Sequence, residues 1–157
     1  MHKRGVTLIE LIVVMVIIGI LAAFLAPNIG AWLPNLRLRS AARDIVSTMR
    51  TAQMKAVSTN LEYRVYSNSG ERKYWTERGN QSSGSTNWVG TTAPGNPARE
   101  GAINDLPTGV TINFNGFIEF NPNSTSSSGS VTLQNSKGTQ RRLTLTPSTG
   151  RVTITTP

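Results

Sequence analysis

From Val6 to Ala26 the chain is almost entirely apolar, and this run limits what the rest can be. At about 1.5 Å per helical residue it is long enough to cross a hydrocarbon core of about 30 Å. It carries one formal charge, Glu10, near its start. A carboxylate at the centre of a membrane helix costs about 2.5–3.5 kcal/mol on insertion scales, and less toward the interface. Leucine would avoid that cost, so Glu10 reads as a functional residue. Ordinary secretory signals are cut after their apolar region, at a small-residue site. Here the basic pair Lys3-Arg4 and the small residue Gly5 come before it, so the apolar helix stays with the mature chain.

Lys3-Arg4-Gly5, Val6, Thr7-Leu8-Ile9-Glu10 and the Leu/Ile/Val-rich run resemble the class III signal of type IV pilins and type II secretion pseudopilins. The resemblance implies a leader of residues 1–5, cut between Gly5 and Val6 by a prepilin peptidase. It also implies N-methylation of Val6 and an assembly role for Glu10. A neighbouring subunit's free amine would pair with that carboxylate, offsetting the burial of both charges and setting axial register. Pro27 matches a proline that the family often carries. The implied partners are other subunits through this helix, the peptidase, an assembly-platform membrane protein and the inner membrane. The implied location is a single-pass inner-membrane protein with a periplasmic C-terminal domain, held in a filament after assembly. Charge counting alone leaves orientation close to a tie, with Lys3 and Arg4 on one side and Arg37, Arg39 and Arg43 on the other.

A chain of 157 residues then divides into one membrane helix and one small domain. The expected segments are 6–34 for the transmembrane and assembly helix, 35–60 for an amphipathic helix and 61–157 for a β domain. Net charge is +8, of which Lys3 and Arg4 supply two, so anionic headgroups, acidic proteins and nucleic acid are all suitable contacts. The absence of cysteine excludes a disulfide framework and thiolate chemistry. His2 is the single histidine and lies in the leader, which removes His-based triads and most zinc sites from the mature chain. The acids beyond the membrane run are scattered, and no glycine loop with lysine forms a phosphate cradle. No catalytic residue, metal site or cofactor is expected, so the chain does not read as an enzyme.

Pro27 and Pro34 predict a break or kink in the first helix, and Trp32 suits a membrane interface. Beyond them Leu38, Ala42, Ile45, Met49, Ala52 and Ala56 recur at helical spacing on one narrow face, which a sheet should cover. Arg39, Arg43 and Arg50 share a line beside it. Thr59-Asn60 ends the helix. Alternating segments then predict strands over 61–66, 72–76, 110–114, 117–120, 131–134, 143–146 and 152–155. Asn115-Gly116 predicts a tight hairpin between the third and fourth of these. A long loop is expected over about 79–107, with Trp88 anchoring it. The fold class is α+β, a long N-terminal helix packed on an antiparallel β-sheet domain. Together with the N-terminal signal, this implies the type IV pilin fold.

The Phe-rich segment around Asn115-Gly116, followed by Pro147-Ser148-Thr149-Gly150-Arg151-Val152, resembles the GspH/FimT branch of minor pilins and pseudopilins. The function implied is a structural minor pseudopilin or pilin subunit of a type II secretion pseudopilus or type IV pilus. The alternative is a DNA-binding minor pilin acting in DNA uptake. Its candidate contacts are Lys137, Arg141, Arg142 and Arg151, with Arg72 and Lys73 on an earlier hairpin. Members that bind DNA carry a basic tail beginning Gly-Arg; here Gly150-Arg151 is followed by Val152, Thr153 and Ile154.

Overall fold

The computed structural model describes residues 6–89 and 101–157; at 24–29 and 31 it describes backbone but not side chains. The chain forms two compact units that meet between Leu33 and Pro34. One helix, α1 (Leu8–Thr59), contributes to both. Among the described residues nine strands follow, all in the second unit: β1 (Tyr63–Asn68), β2 (Lys73–Gly79), β3 (Trp88–Val89), β4 (Asn104–Asp105), β5 (Val110–Asn113), β6 (Gly116–Phe120), β7 (Ser130–Asn135), β8 (Gln140–Thr146) and β9 (Arg151–Thr155).

From Leu8 to Ala23 the helix of the first unit is apolar on every side apart from Glu10. The large side chains from Val6 to Leu21 are each 50–77% exposed, so no face is turned inward. The expected break at Pro27 and Pro34 is corrected, because helical backbone continues through both. Proline's φ of about −65° is itself helical, so each proline removes one backbone donor without ending the element. The helix stops where expected: Asn60, at φ 55°, takes the left-handed conformation that closes helix C-termini.

In the second unit α1 buries one stripe. Leu38, Ala41, Ala42, Ile45, Val46, Met49, Ala52 and Ala56 are all buried, a broader stripe than the sequence reading gave. Two antiparallel sheets cover it, rather than one. The first has the order β3-β2-β1-β6, with β4 also pairing β2; the second has the order β5-β7-β8-β9. Tyr63, Val65, Ile118 and Phe120 enter the core from the first, and Val110, Ile112, Val131, Leu133, Leu143 and Leu145 from the second. Each large apolar side chain so buried stabilises by about 1.5–3 kcal/mol.

The predicted hairpin at Asn115-Gly116 is overturned. β5 pairs with β7, while β6 pairs with β1, so the chain changes sheets here instead of folding back. Gly116 has φ 151°, an extended conformation that glycine favours, and not a tight-turn geometry. The Ser67 hydroxyl donates to the Phe114 carbonyl at 2.9 Å and fastens the crossing to β1. The expected loop over 79–107 is also shorter than predicted, since β2 runs to Gly79 and β3 and β4 lie within the remainder. By contrast β7 and β8 form the expected hairpin, and β8 and β9 pair around Pro147–Gly150. Gly150, at φ 60°, is required at that turn: an added Cβ would meet Gln53 Nε2 and lie 2.8 Å from the Ser124 carbonyl. Gln53 itself donates to Ser124 O at 3.2 Å and Thr149 O at 2.9 Å, tying α1 to both loops.

Candidate assembly site and basic surface

Gly5 lies outside the described residues, and with it one side of the expected cleavage bond. Val6 precedes α1 and is 72% exposed. The Thr7 carbonyl accepts from the backbone N–H groups of Glu10 (3.1 Å) and Leu11 (3.2 Å), which starts the helix. Glu10 therefore sits in the first helical turn, with an exposed side chain. That end of a helix carries partial positive charge and favours a carboxylate. Apolar side chains surround it on all sides. A helix with this surface is stable in water only when covered, by lipid or by other helices. Among the described residues no helix is long and apolar enough to cross a membrane. The apolar stretch whose side chains are described ends at Ala23, short of the roughly 20 residues that a crossing needs.

The basic candidates do not form one surface. Arg72 is taken up by the fold: its guanidinium donates to the carbonyls of Pro107 (2.6 Å), Leu106 (3.3 Å) and Val110 (3.3 Å). Lys73 lies 4.0 Å from Glu71, an exposed pair of little energetic weight. Lys137 sits in the β7–β8 turn, where Asn135 Oδ1 accepts from its backbone N–H at 3.0 Å. Arg142 and Arg151 are on the outward face of the second sheet, while Arg141 shares the inward parity of Leu143 and Leu145.

The sequence reading missed a polar and aromatic cluster on the face of the first sheet turned away from α1. Arg64, Glu77 and Glu119 align across β1, β2 and β6. Glu77 is fully buried; it accepts from Arg64 Nε on one oxygen and from Trp75 Nε1 at 2.8 Å on the other. The Arg64 guanidinium lies 4.2 Å from the Trp88 ring centre and 4.6 Å from that of Phe117. Tyr66 and Trp75 stack with ring centres 4.7 Å apart. Glu62 accepts from the backbone N–H groups of Gly84 (2.8 Å) and Ser85 (2.7 Å), holding the loop that delivers Trp88. Burial holds the Glu119 carboxyl above the usual range; the Glu62 charge adds to this and Arg64 opposes it. Charged and aromatic residues alternating in 62–66 and 73–77 were the signal available, but it does not say which face is covered.

A helix-first α+β chain with two antiparallel sheets on one helical stripe is the pilin-type architecture. Residues 41–150 match the family described as Type II transport protein GspH, and residues 1–26 match the prokaryotic N-terminal methylation motif. The chain belongs to the GspH family. Its fold is similar to that of the minor pseudopilin EpsH from the Type 2 Secretion System of Vibrio cholerae, with TM-score 0.57 at 10% identity, covering 77% of this chain and 98% of that one. It is also similar to the type IV minor pilin FimU of Pseudomonas aeruginosa, with TM-score 0.54 at 18% identity, covering 77% and 90%. No curated protein sequence matches the chain. The DNA-uptake alternative finds no support in these comparisons or in the scattered basic residues.

Proposed function

We propose that the chain is a minor pseudopilin or minor pilin, a structural subunit that works by assembling and not by catalysis. One observation carries the reading: an apolar helix exposed on every side opens a chain whose remainder closes a complete core. Such a helix has two suitable surroundings, a bilayer before assembly and a bundle of like helices after it. Cleavage between Gly5 and Val6 gives Val6 the new amino terminus, which is then methylated. The helix is held in the inner membrane with the second unit in the periplasm. An assembly platform then passes it into the filament. Glu10 pairs with the amine of a neighbouring subunit, since each charge compensates the other where water is absent.

Glu10→Leu tests this reading. The variant should insert and be processed normally, because leucine lowers the cost of insertion. It should then be missing from sheared filaments that contain the wild-type subunit. Normal incorporation of the variant would refute the pairing. Mass spectrometry of the native product should find a methylated terminus at Val6.

A further inference from the structure

An open cleft of about 300 Å³ lies between α1 and the second sheet, lined by Arg39, Ala42, Arg43, Arg141 and Ile154. Arg39 and Arg43 are one helical turn apart, a like-charge spacing that is unfavourable on a helix. Arg141 reaches the cleft from β8, at a position of the same parity as buried Leu143 and Leu145. An apolar residue would be the default there. None of the three guanidinium groups has a hydrogen-bond or ion-pair partner among the described residues. The nearest acid in sequence, Asp44, is turned elsewhere: it accepts from the Ser40 hydroxyl at 3.4 Å, and its charge helps burial push the Tyr74 hydroxyl up. Three like charges gathered without a counter-charge break the local rules of a stable surface, as functional sites do.

We propose that this cleft binds a phosphate-type oxyanion. A phosphate offers three acceptor oxygens and up to two negative charges to three guanidinium forks, more than a single carboxylate can supply. Ala42 and Ile154, the latter 37% exposed, give the cleft an apolar wall beside its charges. A phosphodiester carried by an amphiphile, such as a phosphatidylglycerol headgroup, brings one negative charge and two free oxygens, and would use the apolar wall as well. Free phosphate would use the charges alone. A nucleic acid strand would need basic residues along a track, whereas Arg142 and Arg151 lie on the opposite face of the sheet. The site is present whether or not the chain assembles, so its test is separate from that of the filament reading.

The test is phenylglyoxal modification of each arginine, followed by mass spectrometry on the full chain in phosphatidylcholine nanodiscs at fixed ionic strength. Inorganic phosphate is added in one arm, and phosphatidylglycerol is included in the bilayer in another. At free ligand about ten times its dissociation constant, Arg39, Arg43 and Arg141 should react about tenfold more slowly, since only the empty fraction reacts. Arg142 and Arg151 should be unaffected. Protection in the lipid arm alone identifies a headgroup phosphate, and protection in both arms a general phosphate site; either supports the proposal. Arg141→Gln and, separately, Arg43→Gln should abolish protection of the remaining pair, while Arg142→Gln should not. No protection in either arm, or equal protection of Arg142 and Arg151, would overturn the proposal. So would protection of all five by a DNA oligomer without protection by phosphate.

Discussion

Glu119 sits half-buried in β6, opposite Arg64, and its carboxyl holds its proton more tightly in the folded chain than in the unfolded one. The folded state therefore binds more protons across that interval, and stability falls as pH rises through it. The contribution is fully present below the ordinary carboxylate range and lost above the raised value. Glu119→Gln removes the ionisation and keeps the shape. It should raise the melting temperature at pH 7, and the gain should shrink as pH is lowered below the carboxylate range. Melting curves of both proteins over that span check this; a pH-independent gain would mean that the carboxyl is not the cause. Neighbouring Glu77 differs because both its oxygens have donors. Removing one member of such a buried pair costs about 3–5 kcal/mol, because the other charge stays behind.

Along α1 the alanines decide how closely the sheets approach. Ala52 and Ala56 are completely buried, in a stripe that elsewhere carries leucine, isoleucine and methionine. Ala52→Leu adds volume where no space exists, and should destabilise the chain by about 1–3 kcal/mol in urea unfolding. The same alanines were legible in the sequence, because a 3.6-residue period needs only the helix itself to read. So were α1's end at Asn60 and the β7–β8 hairpin, both set by local chemistry. Asn115-Gly116 was misread because the dipeptide permits a tight turn without requiring one. The partners of β5 and β6 lie far away in sequence, and they decided the outcome. The prolines misled for the opposite reason: their local effect is real, but the helical residues on both sides carry the element through. At the candidate site, Glu10 could be found from its charge alone. Arg141 could be named, but not placed beside Arg39 and Arg43, because strand parity becomes informative only when the neighbouring helix is known.

As a whole the molecule joins two units with different requirements. The unit ending at Leu33 is satisfied by apolar surroundings, and its helix bonds its own backbone in any of them. The unit from Pro34 depends on packing between α1 and both sheets, without a disulfide. Heating the full chain in micelles should therefore abolish the near-ultraviolet circular dichroism of the packed aromatics first, leaving a helical far-ultraviolet signal from the apolar segment. Coincident loss of both signals would contradict this independence. The switch of sheets between β5 and β6 has a further consequence for how the chain is made. β6 completes the first sheet, yet β5, which emerges before it, has no partner until β7 arrives. A chain made from its amino end therefore begins its second layer, with β5, before β6 has closed its first. The first layer is whole once β6 is present, while β5 stays unpaired until β7 is made, and the second layer closes only with the last strands of the chain.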